Sequence, residues 1–164
     1  MNEGTITIDI DHLSIEEKLK IYQYLQKNLE DTKYDIPVEI FNNKHLSALE
    51  AIKKYLREEF GLRFVKIANI LNRSDKTIWT TYKSAKKNLP TKYYGRESKI
   101  RIPVGAFSDR KISVLENIIF FLKNREFSYD NIAKIMNRKY STIVTVFNRA
   151  VKKKAIVKLK KNAK

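Results

Sequence analysis

Residues 67–88 read IANILNRSDKTIWTTYKSAKKN, and residues 132–153 read IAKIMNRKYSTIVTVFNRAVKK. Both copies keep the same apolar positions, Ile67 and Ala68 with Ile132 and Ala133, then Ile78 and Ala85 with Ile143 and Ala150. Most positions between them are polar or basic. The match extends outward. Ile36-Pro37-Val38 corresponds to Ile102-Pro103-Val104, Phe41 to Phe107, and LSALEAI (46–52) to ISVLENI (112–118). One residue is then deleted, and the two long stretches align to their ends. A unit of about fifty residues is therefore duplicated. Chance likeness between two amphipathic helices would not reproduce the caps, the turns and the leading IPV.

Within each unit the pattern predicts three helices. The first covers about 47–59, opened by a capping box in which Ser47 precedes Glu50 by three residues, as Ser113 precedes Glu116. Leu49, Ile52 and Leu56 face inward on it. The second covers about 64–71, with Ile67, Ala68 and Leu71 inward. The third covers about 75–87, with Ile78, Tyr82 and Ala85 at helical spacing toward the core. Asn72 and Asn137 stand between the second and third helices, where asparagine tolerates the left-handed backbone that ends a helix abruptly. Ser74 is then a good N-cap, and Lys139 a poor one. Two short helices joined by a tight turn, with a small alanine where they approach, form the helix-turn-helix pattern.

Charge divides the chain unevenly. Over 164 residues there are 34 Lys+Arg against 18 Asp+Glu, a formal net charge of +16. Residues 1–40 hold four lysines against nine acids, a net of −5, so residues 41–164 carry +21. A polyanion is the natural partner of the basic part. The acidic segment opens with TITIDID, whose alternation predicts a strand at 5–10. A helix capped by Ser14 and Glu17 follows, with Ile15, Leu19, Tyr22, Leu25 or Gln26, and Leu29 on one apolar face. A strand and one helix bury little alone, so this segment is expected to pack on the rest of the chain or on a second copy. Further short strands are expected at 36–40 and 99–104, available to pair with each other and with 5–10, although Pro37 and Pro103 confine them to edges. The chain has no cysteine, no long apolar run and no signal-like start, which points to a cytoplasmic protein that does not enter a membrane.

The stretches FVKIANILNRSDKTIWTTYKSAKKNL (64–89) and YDNIAKIMNRKYSTIVTVFNRAVKKK (129–154) resemble region 4 of bacterial sigma factors and its LuxR-like relatives. The shared pattern is an "IA" in the first motif helix, a turn, a threonine-aliphatic start to the recognition helix and a basic end after alanine. The resemblance spans roughly 46–88 and 112–154. It implies a helix-turn-helix fold that binds duplex DNA. Where this chain has Arg73 and Arg138 the family pattern has an aliphatic residue. No promoter-melting region accompanies it, so an initiation factor in its own right is not expected.

A recognition helix sets its N-terminal residues against base edges in the major groove. On the third helix the outward face carries Lys76, Trp79, Thr80 and Lys83. In the second unit it carries Ser141, Val144, Thr145 and Asn148, followed by Arg149. Lysine can donate to guanine, asparagine can pair with adenine, and threonine or valine can touch a thymine methyl. The scaffolds agree while the faces differ, as two readers of two half-sites would. Trp79 has an alternative use in packing against a neighbouring helix or the N-terminal segment. Phosphate candidates are Arg73 and Arg138 in the turns, Thr77 and Thr142, Lys86 and Lys87, and Lys152, Lys153 and Lys154. Lys158, Lys160 and Lys161 in the tail, which could extend the third helix but has little to bury and is expected to fray, complete the set. Thr77 and Thr142 have local capping as an alternative, and the lysine-rich helix ends complement the helix dipole without any ligand.

His12 and His45 are isolated, and four scattered glycines make no phosphate loop, so neither a catalyst, a metal nor a cofactor is expected. The sequence predicts a mainly α protein of two tandem three-helix helix-turn-helix modules with short β segments and an N-terminal strand-helix extension. The divisions are 1–34 acidic assembly or partner segment, 35–88 first module, 89–101 linker, 102–154 second module and 155–164 basic tail. The expected function is sequence-specific binding of double-stranded DNA in transcriptional regulation, with nucleoid-associated localisation. The alternatives are an architectural nucleoid protein of little sequence preference and a sigma-like adaptor. In the adaptor, one module binds RNA polymerase or another protein through Val144, Val146 and Phe147. RNA fits poorly, because an A-form major groove excludes helices. Residues 1–34 are the expected contact for polymerase or for a homo-oligomer partner. Residues 88–101, taken as a tether, span about 45 Å when extended. That reach suffices for half-sites in successive major grooves about 34 Å apart.

Overall fold

The computed structural model describes residues 11–92 and 98–162, with the side chains of 11–25, 33–92 and 98–155. It is mainly helical. In chain order come α1 (Ile15–Lys33), β1 (Asp35–Pro37), a 3₁₀ turn (Val38–Phe41), α2 (Ala48–Glu58), α3 (Phe64–Leu71) and α4 (Asp75–Asn88). Then follow β2 (Arg101–Pro103), a second 3₁₀ turn (Val104–Phe107), α5 (Val114–Lys123), α6 (Tyr129–Ile135) and α7 (Tyr140–Asn162). The expected strand at 5–10 lies outside the described residues. No helix among them is long and apolar enough to cross a membrane.

Local chemistry accounts for the helix boundaries. Ser14, Ser47 and Ser113 each accept the amide of the glutamate three residues on, and each glutamate caps the serine amide in return. Asn72 and Asn137 adopt φ of 51° and 49°, ending α3 and the second unit's matching helix in the left-handed conformation. A second pair of left-handed residues, Gly61 at φ 63° and Glu126 at φ 65°, closes α2 and α5. Glycine adopts that conformation freely, whereas Glu126 does so at a steric cost.

The two units share more than their helices. Arg57 lies over the Phe64 ring at 4.9 Å and donates to the Leu62 carbonyl, while Phe64 meets Tyr82 at 5.4 Å. At the equivalent places Lys123 lies over Tyr129 at 4.3 Å and donates to the Phe127 carbonyl, while Tyr129 meets Phe147 at 5.7 Å. The duplication is thus carried into the packing.

The expected strands at 36–40 and 99–104 are shorter than the alternation suggested. β1 and β2 pair with each other, antiparallel, with Ile36 opposite Ile102. Each proline ends its strand, since it has no amide to offer the ladder, and the chain turns into 3₁₀ at once. The described ends of the expected linker, 88–92 and 98–101, are held to the folded units. The Thr91 carbonyl accepts from Lys54 at 2.8 Å, and the Ile100 carbonyl accepts from the Val38 amide at 3.1 Å. Both units contribute to one apolar core that includes Ile36, Ile52, Ile67 and Ile78 with Ile102, Ile118, Ile132 and Ile143. No linker length separates two independent beads.

Residues 155–162 extend the third helix of the second unit as part of α7, there being no glycine or proline in 140–162 to stop it. On α1, which packs against the second 3₁₀ turn, the described apolar residues Ile15 (86% exposed), Tyr22 (58% exposed), Leu19 and Leu25 are not covered by the other described residues. Of the two partners considered for this segment, the chain itself does not cover those residues.

Candidate nucleic-acid interface

α4 is set by its first turn. Ser74 accepts the Thr77 amide at 3.3 Å and shares a 2.7 Å hydrogen bond with the Thr77 hydroxyl. Thr77 is therefore occupied in capping, one of its two expected uses. From beneath, Lys53 reaches up from α2 and donates to the Thr77 carbonyl at 3.2 Å. Ile78 and Ala85 are buried and Tyr82 half-buried, which turns Lys76, Trp79, Thr80 and Lys83 outward. In α7, Ile143 and Ala150 are buried and Phe147 half-buried. Ser141, Thr145, Asn148 and Arg149 stand exposed, and Val144 is half-buried beside them. All nine candidates for base contact thus lie on the surfaces of two equivalent helices.

Their local chemistry differs. Lys83 sits 4.3 Å over the Trp79 ring, one helical turn away, and Trp79 remains 46% exposed. Trp79 is not among the described hydrophobic residues packed against the core. The Thr80 hydroxyl donates to the Lys76 carbonyl and that of Thr145 to the Ser141 carbonyl, both at 2.8 Å. With its proton committed, each threonine offers an acceptor oxygen and a methyl group at the same place on either helix.

The basic candidates divide into two sets. Lys86, Lys87, Lys152 and Arg138 are exposed. Lys153 turns back onto α5, pairing with both carboxylate oxygens of Glu116 at 2.8 and 2.9 Å, and Lys154 lies 3.7 Å from the Phe120 ring centre. Burial raises the Glu116 carboxyl, but the Lys153 and Ser113 hydrogen bonds outweigh it and hold it below its ordinary value. Burial lowers Lys154. These two lysines anchor α7, a correction to their expected use as free phosphate contacts. The side chains of Lys158, Lys160 and Lys161 lie outside the described residues.

The turn arginines also occupy places the linear pattern did not suggest. Arg73 and Arg138 line one cavity of about 430 Å³ between the units, over apolar residues that include Phe41, Leu49 and Leu115. Arg73 is half-buried, and its Nε has no hydrogen-bond partner among the described residues. Arg138 is more open and joins a second, groove-like space of about 690 Å³ with Lys44, Lys134, Lys139 and Thr142, where Asp130 is the one acid. Lys44, Lys134 and Lys139 are interface candidates missed by reading the third helices alone. Lys44 belongs to the first unit yet stands at the second unit's turn, which no local pattern could reveal.

Comparison with known protein families, curated sequences and solved structures finds no match to this chain. The reading of the interface rests on its residues. Their composition suits a phosphate backbone flanking a readable edge: four cations in one groove beside α7, and alternating lysine, threonine, tryptophan and asparagine on the two helix faces. The apolar patch required by the adaptor alternative is broken up, because Val146 is buried and Phe147 stacks inward on Phe120 at 6.3 Å.

Proposed function

We propose that the chain binds double-stranded DNA in a sequence-dependent manner through α4 and α7, each the recognition helix of a helix-turn-helix pair. The observation that carries this reading is a matched scaffold bearing unmatched faces. Two helices that share buried Ile78/Ile143 and Ala85/Ala150 and half-buried Tyr82/Phe147 present Lys76, Trp79 and Lys83 on one side and Ser141, Val144 and Asn148 on the other. A purely architectural coat would need basic charge on both faces and no such divergence. Arg138, Lys44, Lys134 and Lys139 supply the phosphate contacts that fix register, and the helix faces supply the base contacts. A role in transcriptional regulation follows from site-specific binding by a protein of this kind. The acidic segment 1–34 makes no duplex contact in this scheme.

The test is selection of bound duplexes from a random pool, followed by a salt titration of the winner. Enrichment of a two-part motif is expected. Neutralising about 6–10 phosphates gives a log–log salt slope of roughly −5 to −9. Binding with no enriched motif would replace this reading with the architectural one, and a flat slope would remove DNA as the partner.

A further inference from the structure

The ladder between β1 and β2 pairs residues that the duplication makes equivalent. Ile36 lies directly opposite Ile102. The flanking hydrogen bonds exchange in the same way, Val38 amide to Ile100 carbonyl and Val104 amide to Tyr34 carbonyl, each 3.1 Å. An antiparallel pair has a local twofold axis between residues that face one another. When those residues are repeats of each other, the axis of the ladder becomes the axis of the whole molecule.

Apart from α1, which has no counterpart in the second unit, the packing between the units obeys the same operation. The 3₁₀ turn of the second unit packs on α3 and that of the first packs on α6, while α2 meets α5. The cavity between the units is lined by equivalent pairs, Arg73 with Arg138, Ser47 with Ser113, and Leu49 with Leu115. In a head-to-tail array, the back of one unit would meet the front of the next, and equivalent residues would not touch. Here one patch meets its own counterpart, the isologous interface of a symmetric dimer, contained within a single chain.

We infer that α4 and α7 are presented in opposite senses about this axis, so that the chain recognises an inverted arrangement of two non-identical half-sites, not a direct repeat. This rests on the proposed binding of duplex DNA. The strands of a duplex are themselves related by twofold axes, and paired heads related by such an axis match inverted half-sites. The differing faces hide the symmetry in the natural target, since each half-site has its own sequence. One core also sets the separation of the heads, so spacing is a fixed property of the target and not a range permitted by a tether.

Making the heads alike exposes the arrangement. The variant S141K/V144W/N148K/R149S gives α7 the outward residues of α4, Thr145 already matching Thr80. The full-length variant and the unaltered chain are taken through the same selection from random duplexes. The expected result is a palindrome for the variant, one half of which appears in the motif of the unaltered chain. Reversing one half of the palindrome in place, to make a direct repeat, should weaken binding roughly 10- to 100-fold. The reciprocal variant K76S/W79V/K83N/S84R should yield a palindrome of the other half, and circular dichroism verifies that either variant folds. A direct repeat, a single unrepeated half-site or indifference to the reversal would overturn the inference while leaving sequence-specific binding intact. Absence of any motif for the unaltered chain would overturn both.

Discussion

Lys53 and Lys54 are each 0% exposed, in a helix whose pattern would place lysines in solvent. Lys53 holds the Thr77 carbonyl, and Lys54 holds Glu58 and the Thr91 carbonyl. One thus ties α2 to the start of α4, the other to the chain leaving it. Burial, with Arg73 nearby, lowers Lys53 to about 8. A lysine whose folded value is depressed binds fewer protons folded than unfolded, so stability rises with pH between about 8 and 10.5. The shift corresponds to a penalty on the order of 3 kcal/mol below that window. Denaturant unfolding at pH 7.5 and pH 10 should show this rise, and Lys53→Met should flatten it. Ile119 already occupies the equivalent place in the second unit. Glu116 acts at the other end of the scale. Its depressed value contributes stability above about pH 4.5, lost as the pH falls through the folded value. Glu116→Gln should remove that acid-side loss, and should destabilise at pH 7 by roughly 1–3 kcal/mol through the pair with Lys153.

Among the elements, the turns between paired helices are the most sharply specified. Asn72→Gly and Asn137→Gly should be neutral or mildly stabilising, because glycine adopts the observed φ without strain. Asn72→Val should cost about 1–2 kcal/mol, read as a lowered midpoint in thermal unfolding. On the helix faces, Lys83→Ala or Asn148→Ala should relax preference in one half-site only, by ~1–3 kcal/mol in competition binding. A loss spread over both halves would count against separate reading heads. Most helix limits, the three capping boxes and the asparagine turns could be read from the sequence, since each depends on residues within one or two turns of itself. The buried lysines could not. A residue's usual preference for water is a statistical rule, and it yields where two carbonyls from distant segments wait to be satisfied. Lys153 escaped for the same reason, its partner Glu116 being 37 positions away.

For the whole molecule, the shared core requires the units to unfold together. Trp79 is the sole tryptophan and lies in the first unit, so its fluorescence reports that unit alone. Ile132→Ala, in the second unit's core, should cost about 2–5 kcal/mol. Fluorescence and circular dichroism should then shift to the same lower midpoint. An unchanged Trp79 transition would mean two independent domains. The repeat was legible as sequence, and pairing among its short strands was one option, but the antiparallel register that sets Ile36 on Ile102, and with it the manner in which the copies face one another, was not. Reading 88–101 as a tether treated proximity along the chain as the link. The link is the ladder and the core beneath it.

That ladder has a consequence for dose. Regulators assembled from two separate chains come apart on dilution, and their operator occupancy then falls with the square of total protein. Here the two halves are covalently joined, and the local concentration of one for the other stays high however few molecules a cell contains. For the proposed duplex target, each chain arrives as a complete reader. Occupancy by a single chain should follow a simple hyperbola down to the lowest copy number.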